Sequence, residues 1–96
     1  MSPQNRKELN ILRKKLDTLD NDLIKIIKKR THLVKQVLSL KTYRNQIVDK
    51  KRIKEILNNI RKKSTSNNID PKITNRIWKN MIWSYIDFEK RNFKKK

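Results

Sequence analysis

Hydrophobic residues recur along the first half of the chain in steps of three and four. Leu9, Leu12, Leu16, Leu19, Leu23 and Ile26 are followed by Leu33, Val37 and Leu40. That alternation is the period of a coiled-coil seam, and nothing between Lys7 and Tyr43 breaks a helix. About 36 helical residues make a rod about 54 Å long, whereas a compact domain of this size has a radius of gyration of about 13 Å. The chain is too short to cover such a rod by itself. A partner helix is implied, and a second copy of the chain is the simplest supplier.

Beyond the rod, "TYRNQIV" reads as a connection. Asp49 is placed to cap a second helix from about Lys50 to Lys62, with Ile53, Ile56, Leu57 and Ile60 inward. The stretch "KKSTSNN" reads as a polar loop. Asp70 then stands at an N-cap with Pro71 at the first helical position. The third helix runs to about Phe93, its apolar face formed by Ile73, Ile77, Trp78, Met81, Ile82, Tyr85 and Ile86. The basic end, residues 94–96, is expected to fray. The pattern is all-α, with three helices in a single domain, 1–96.

Composition narrows the chemistry. The 96 residues include no glycine and no cysteine, one histidine and two prolines. Disulfides and thiolate metal sites are excluded, and a lone His32 cannot build a metal cluster. No apolar run approaches the roughly 20 residues of a membrane span, and "MSPQNRKELN" lacks the apolar segment of a secretory signal. A cytoplasmic protein without metal or membrane partner is expected. The net charge of +18 points first to a polyanion. Lysine, asparagine and isoleucine are all abundant, however, as AT-rich coding tends to supply. The cations are scattered along the chain, and the aromatics follow the core stripe rather than an exposed basic face. Solvated faces explain the charge better than a nucleic-acid surface does.

Two charges stand where the pattern asks for apolar side chains, and two more lie on the flank beside the seam. Arg30 fills the seam position between Ile26 and Leu33. A buried guanidinium without a partner costs several kcal/mol, so Arg30 either fixes helix register or awaits a carboxylate. Lys41 lies eleven residues on, at nearly the same azimuth about three turns along, so the two cations could converge on one small anion. Arg13 is seventeen residues from Arg30, about 25 Å away on another azimuth. It suits the partner's site in an antiparallel dimer. Glu89 falls on the apolar stripe of the third helix, four residues after Tyr85. It either turns outward at a frayed end or is buried, where desolvation favours the neutral form unless a cation is close.

Taken together, Leu12–Arg13, Leu16–Asp17, Leu19–Asp20, Leu23, Ile26, Arg30 and Lys41 resemble the first helix of the AroQ-type chorismate mutases. "IVDKKRIKEIL" and "IDPKITNRIWKNMIWSYIDFE" are similar to that family's second and third helices, so the likeness covers about residues 8–89. The resemblance implies an intertwined homodimer of three-helix chains that converts the dianion chorismate to prephenate in aromatic amino-acid biosynthesis. It implies that Arg30 and Arg52 hold a substrate carboxylate or neighbouring groups, and that Arg13 of the partner chain takes the second carboxylate. Lys41 and Glu89 would hydrogen-bond the ether oxygen, and Asp49 matches an acidic position near the substrate hydroxyl. The rearrangement is unimolecular and pericyclic. It needs no cofactor, nucleophile or general base, only a held conformation and charge at the breaking bond.

Two positions depart from the family pattern. Ile53 stands where members commonly carry a glutamate that binds the ring hydroxyl, and Tyr85 stands where a serine is usual. Both, with the "WSYI" stretch, look like the isochorismate-pyruvate lyase branch of the fold, whereas Asp49 is closer to the mutases. Glu89 replaces the glutamine of many bacterial relatives, and a glutamate can donate to an ether oxygen only when protonated. A basic helical nucleic-acid-binding or inactive mutase-like module is the reading from another class.

Overall fold

The computed structural model describes Met1–Lys95; of the basic end, Lys96 lies outside the described residues. Helix α1 spans Pro3–Leu40, a single 3₁₀ turn follows at Arg44–Gln46, α2 spans Lys50–Ser66 and α3 spans Pro71–Asn92. The first helix begins earlier than its apolar periodicity indicates. Ser2 Oγ accepts from the Asn5 amide at 3.1 Å and Pro3 occupies the first turn, a capping pair that fixes the start independently of any apolar contact. The helix ends at Leu40, with the Lys41 amide bonded to the Leu38 carbonyl at 3.1 Å.

The chain divides into two compact units, Met1–Leu33 and Val34–Lys95 among the described residues. In the first unit the seam residues Leu12, Leu16, Leu19, Leu23 and Ile26 are all more than half exposed. No residue of α1 is buried.

The second unit holds the core. Ile47 of the connection and Ile82 and Ile86 of α3 are buried, with Leu38, Val48, Ile53, Ile56, Leu57 and Phe93 packed against them. Asp49 caps α2, its Oδ1 accepting from the Arg52 amide at 3.0 Å, and Asp70 caps α3 by accepting from the Lys72 amide at 2.9 Å. Both caps stand where the sequence puts them.

The polar stretch after Lys62 is helical rather than a loop, which corrects the expected end of α2. Ser64 and Thr65 return hydrogen bonds to the carbonyls of Ile60 and Arg61, and Ser66 and Asn67 return theirs to Lys63. Residues that usually compete with a helix here extend it by a turn. Asn68 then takes φ 56°. The Ile69 amide reaches the Ser64 carbonyl and the Asn68 amide reaches Thr65, so asparagine makes the left-handed closure that glycine usually makes.

The inward face of α3 is the expected one at Trp78, Met81, Ile82, Tyr85 and Ile86, but not in its first two turns. Ile73 and Ile77 are exposed by 56% and 52%, while Thr74 turns in and shares a 2.6 Å hydrogen bond with buried Ser64 of α2. Trp78 is half-buried, but Trp83 is 54% exposed and does not pack into this core. No helix of the described residues is long and apolar enough to cross a membrane.

Candidate functional site

The second unit brings together two residues that are forty-eight positions apart in sequence. Lys41, the first residue beyond α1, donates through Nζ to both carboxylate oxygens of Glu89, at 3.1 and 3.3 Å. Glu89 is only 6% exposed, so it turns inward rather than outward at a frayed end. Its placement follows from the α3 register: Ile82, Ile86 and Glu89 lie on one face, and two of the three are core isoleucines. The cation that a buried carboxylate requires is supplied by Lys41, whose side chain is 18% exposed. The ammonium keeps donor capacity beyond the carboxylate, because it carries three N–H bonds.

Tyr85 is half-buried one turn before Glu89. Ile53 is half-buried in the first turn of α2 and packs on the isoleucine core. Asp49 and Arg52 share the same helix start, joined by the cap bond. The Arg52 guanidinium is solvent-exposed and lies 3.7 Å from Glu55, a spacing at which an exposed ion pair contributes little. Lys41, Asp49, Arg52, Ile53, Tyr85 and Glu89 thus all belong to the second unit.

Arg13 and Arg30 belong to the first unit. Arg13 is exposed, whereas Arg30 is half-buried, with its Nε shielded from solvent. Arg30 is thus more covered than its seam neighbours Ile26 and Leu33, each 59% exposed. Thr31 and Leu9 are the other half-buried residues of that unit.

The chorismate mutase type II family model matches residues 12–90. The chain belongs to that family. The match runs from the seam leucines of α1 through Glu89, and so takes in every candidate site residue. No curated protein and no solved structure gives a significant match to the chain. The all-α, three-helix architecture of this chorismate mutase family member agrees with the fold class read from its sequence.

Sequence reasoning missed several residues that hold the Lys41–Glu89 pair and the helices around it in place. Ile47, the most buried core residue at 3% exposure, sits in the stretch read as a connection. The Ser64–Thr74 bond joins residues placed in a loop and left off the apolar face. Gln46, whose side chain accepts from two backbone amides of the link, carries no motif signal at all.

Proposed function

We propose that the protein is a chorismate mutase that acts as a homodimer and rearranges chorismate to prephenate. The observation that carries this reading is the enclosed Lys41–Glu89 pair, in a chain matched by the family model across both residues. In the reaction the carbon–oxygen ether bond lengthens while a carbon–carbon bond forms, and negative charge grows on the ether oxygen. A lysine held beside that oxygen, in a site of low water content, stabilises the charge as it develops. Glu89 orients the ammonium, and when protonated it donates to the same oxygen.

Arg30 and Arg52 would grip one end of the dianion, and Arg13 from the partner the other, because guanidinium forks match carboxylates. Binding of this kind holds the enolpyruvyl arm over the ring and converts a rare conformer into the ground state. The dimer reading rests on the seam of α1, whose leucines are more than half exposed in one chain. Covering them by a second copy would supply a core that three buried isoleucines do not.

Ile53 favours a second reading. Its side chain is apolar and packs on the core cluster, so no ring-hydroxyl partner stands at that position, as in the isochorismate-pyruvate lyases. One assay separates the two. The purified protein is expected to consume chorismate and yield prephenate. Release of salicylate and pyruvate from isochorismate, without chorismate turnover, would replace the mutase reading by the lyase one.

A further inference from the structure

Lys41 is the one candidate site residue that stands just past the end of a helix, at the C-terminal cap position of α1. The backbone that follows it has no helical ladder until the 3₁₀ turn at Arg44. The chain contains no glycine, so α1 cannot close with the left-handed glycine that ends many helices. It tightens instead into a final three-residue turn, Lys41 amide to Leu38 carbonyl. The amides of Thr42 and Tyr43 then lie beyond the last helical carbonyl. Both donate to a single atom, Oε1 of Gln46, at 2.8 Å each.

The same short segment is anchored at its other end. The Gln46 amide bonds the Tyr43 carbonyl at 3.0 Å, and the Ile47 amide bonds the Arg44 carbonyl at 3.2 Å. Ile47 is 3% exposed and clustered with Ile82 and Ile86 of α3, the helix that also carries Glu89. One amide oxygen therefore ties the start of the link to a point fixed on the helix that Lys41 must reach. An amide oxygen has two lone pairs, and here both are spent on the two residues that follow Lys41.

We propose that Gln46 is a positioning residue for the reaction: its side-chain clasp on the Thr42 and Tyr43 amides sets the Lys41 backbone so that the ammonium meets Glu89. Gln46 acts through Lys41 and not on the substrate. The kinetic half of this inference rests on the chorismate mutase reading; the geometric half does not.

The test compares wild type, Gln46→Ala, Gln46→Asn and Gln46→Glu, each also combined with Lys41→Ala. Chorismate turnover is measured together with the ¹⁵N-resolved signal of the Lys41 ammonium, assigned by its loss in Lys41→Ala. Alanine removes the acceptor, and asparagine withdraws it by one methylene. Both should lower kcat about tenfold, with KM changed within about twofold, and both should broaden the Lys41 signal. Glutamate keeps an oxygen at the same reach and should restore both. In the Lys41→Ala background the Gln46 substitutions should cause no further loss of kcat.

The proposal is overturned by an unchanged Lys41 signal in Gln46→Ala, by Gln46→Glu behaving like alanine, or by a full additional loss in the Lys41→Ala background. A wild-type protein without chorismate turnover would sink the mutase reading. The ammonium signal would still decide whether Gln46 positions Lys41.

Discussion

The two units of the chain solve opposite problems with the same kind of element. Residues 34–95 bury three isoleucines, a serine and a glutamate, and their helices are capped, closed and joined side chain to side chain. Residues 1–33 form helix with a seam just as regular, yet Leu12, Leu16, Leu19 and Leu23 remain 53–57% exposed. Regular apolar spacing therefore marks where burial is intended, not where one chain achieves it. A contiguous exposed apolar stripe is what an interaction face presents, and a strict three-four alternation is the pattern that packs against another helix.

The largest expected effect tests the better-packed region. Lys41→Ala removes the charge from the proposed ether site and leaves the carboxylate of Glu89 enclosed without its cation. Turnover of chorismate should fall about a hundred- to a thousandfold. Stability should fall by about 1–3 kcal/mol in urea titration, because a buried ion pair is costly to break from one side. Normal turnover in this variant would remove the pair from the mechanism.

The exposed seam is tested next. Arg13→Ala and Arg30→Ala chains should each be nearly inactive. Mixed and refolded together, they should regain about a quarter of wild-type activity, since half the dimers are mixed and each holds one intact site. Mixed dimers that form without recovering activity would refute a site shared between protomers. Leu19→Glu should dissociate the proposed homodimer in sedimentation and lower helicity. A charge reversal on an outward face, Lys54→Glu, should do neither.

A smaller effect is expected at Glu89. Its carboxylate holds the Lys41 ammonium through both oxygens, at 3.1 and 3.3 Å, and glutamine keeps one acceptor oxygen without the negative charge. Glu89→Gln should therefore lower chorismate turnover by about tenfold, as for one lost hydrogen bond to a charged group. Wild-type turnover in this variant would remove Glu89 from the orientation of Lys41.

How much of this was legible in the sequence varies by the kind of signal. Periodicity located all three helices, and Asp49, Asp70 and Pro71 marked two of their starts, because caps need specific side chains at fixed offsets. Glu89 stood out as a charge on an apolar stripe, and the structure supplies its partner in Lys41. The failures share one cause. Ser64, Thr74 and Gln46 are polar residues whose partners are backbone carbonyls, backbone amides or one another, and composition reads such residues as loop or surface. Ile47 was hidden for a related reason: one isoleucine within a seven-residue link has no period to announce it. Helical periodicity also assigned Ile73 and Ile77 to the same face as Ile82. In the structure Thr74 turns inward to its bond with Ser64, and both isoleucines are more than half exposed in one chain.

That bond offers the finest test of the contrast between the two units, because each contains a hydroxyl bonded to the carbonyl four residues earlier. Thr18 Oγ1 donates to the Lys14 carbonyl at 3.1 Å on the exposed surface of α1. Ser64 Oγ donates to the Ile60 carbonyl at 2.6 Å within the packed α2–α3 pair and also meets Thr74 Oγ1. If burial decides the value of such a bond, Thr18→Ala should change stability by less than about 0.5 kcal/mol. Ser64→Ala should cost about 1–2 kcal/mol, because Thr74 keeps only its weaker 3.3 Å contact to the Pro71 carbonyl. Replacing both partners, Ser64→Ala with Thr74→Val, should recover part of the loss, since no buried hydroxyl is then left with its partner removed. Equal costs at positions 18 and 64 would mean that enclosure does not decide what such a bond contributes.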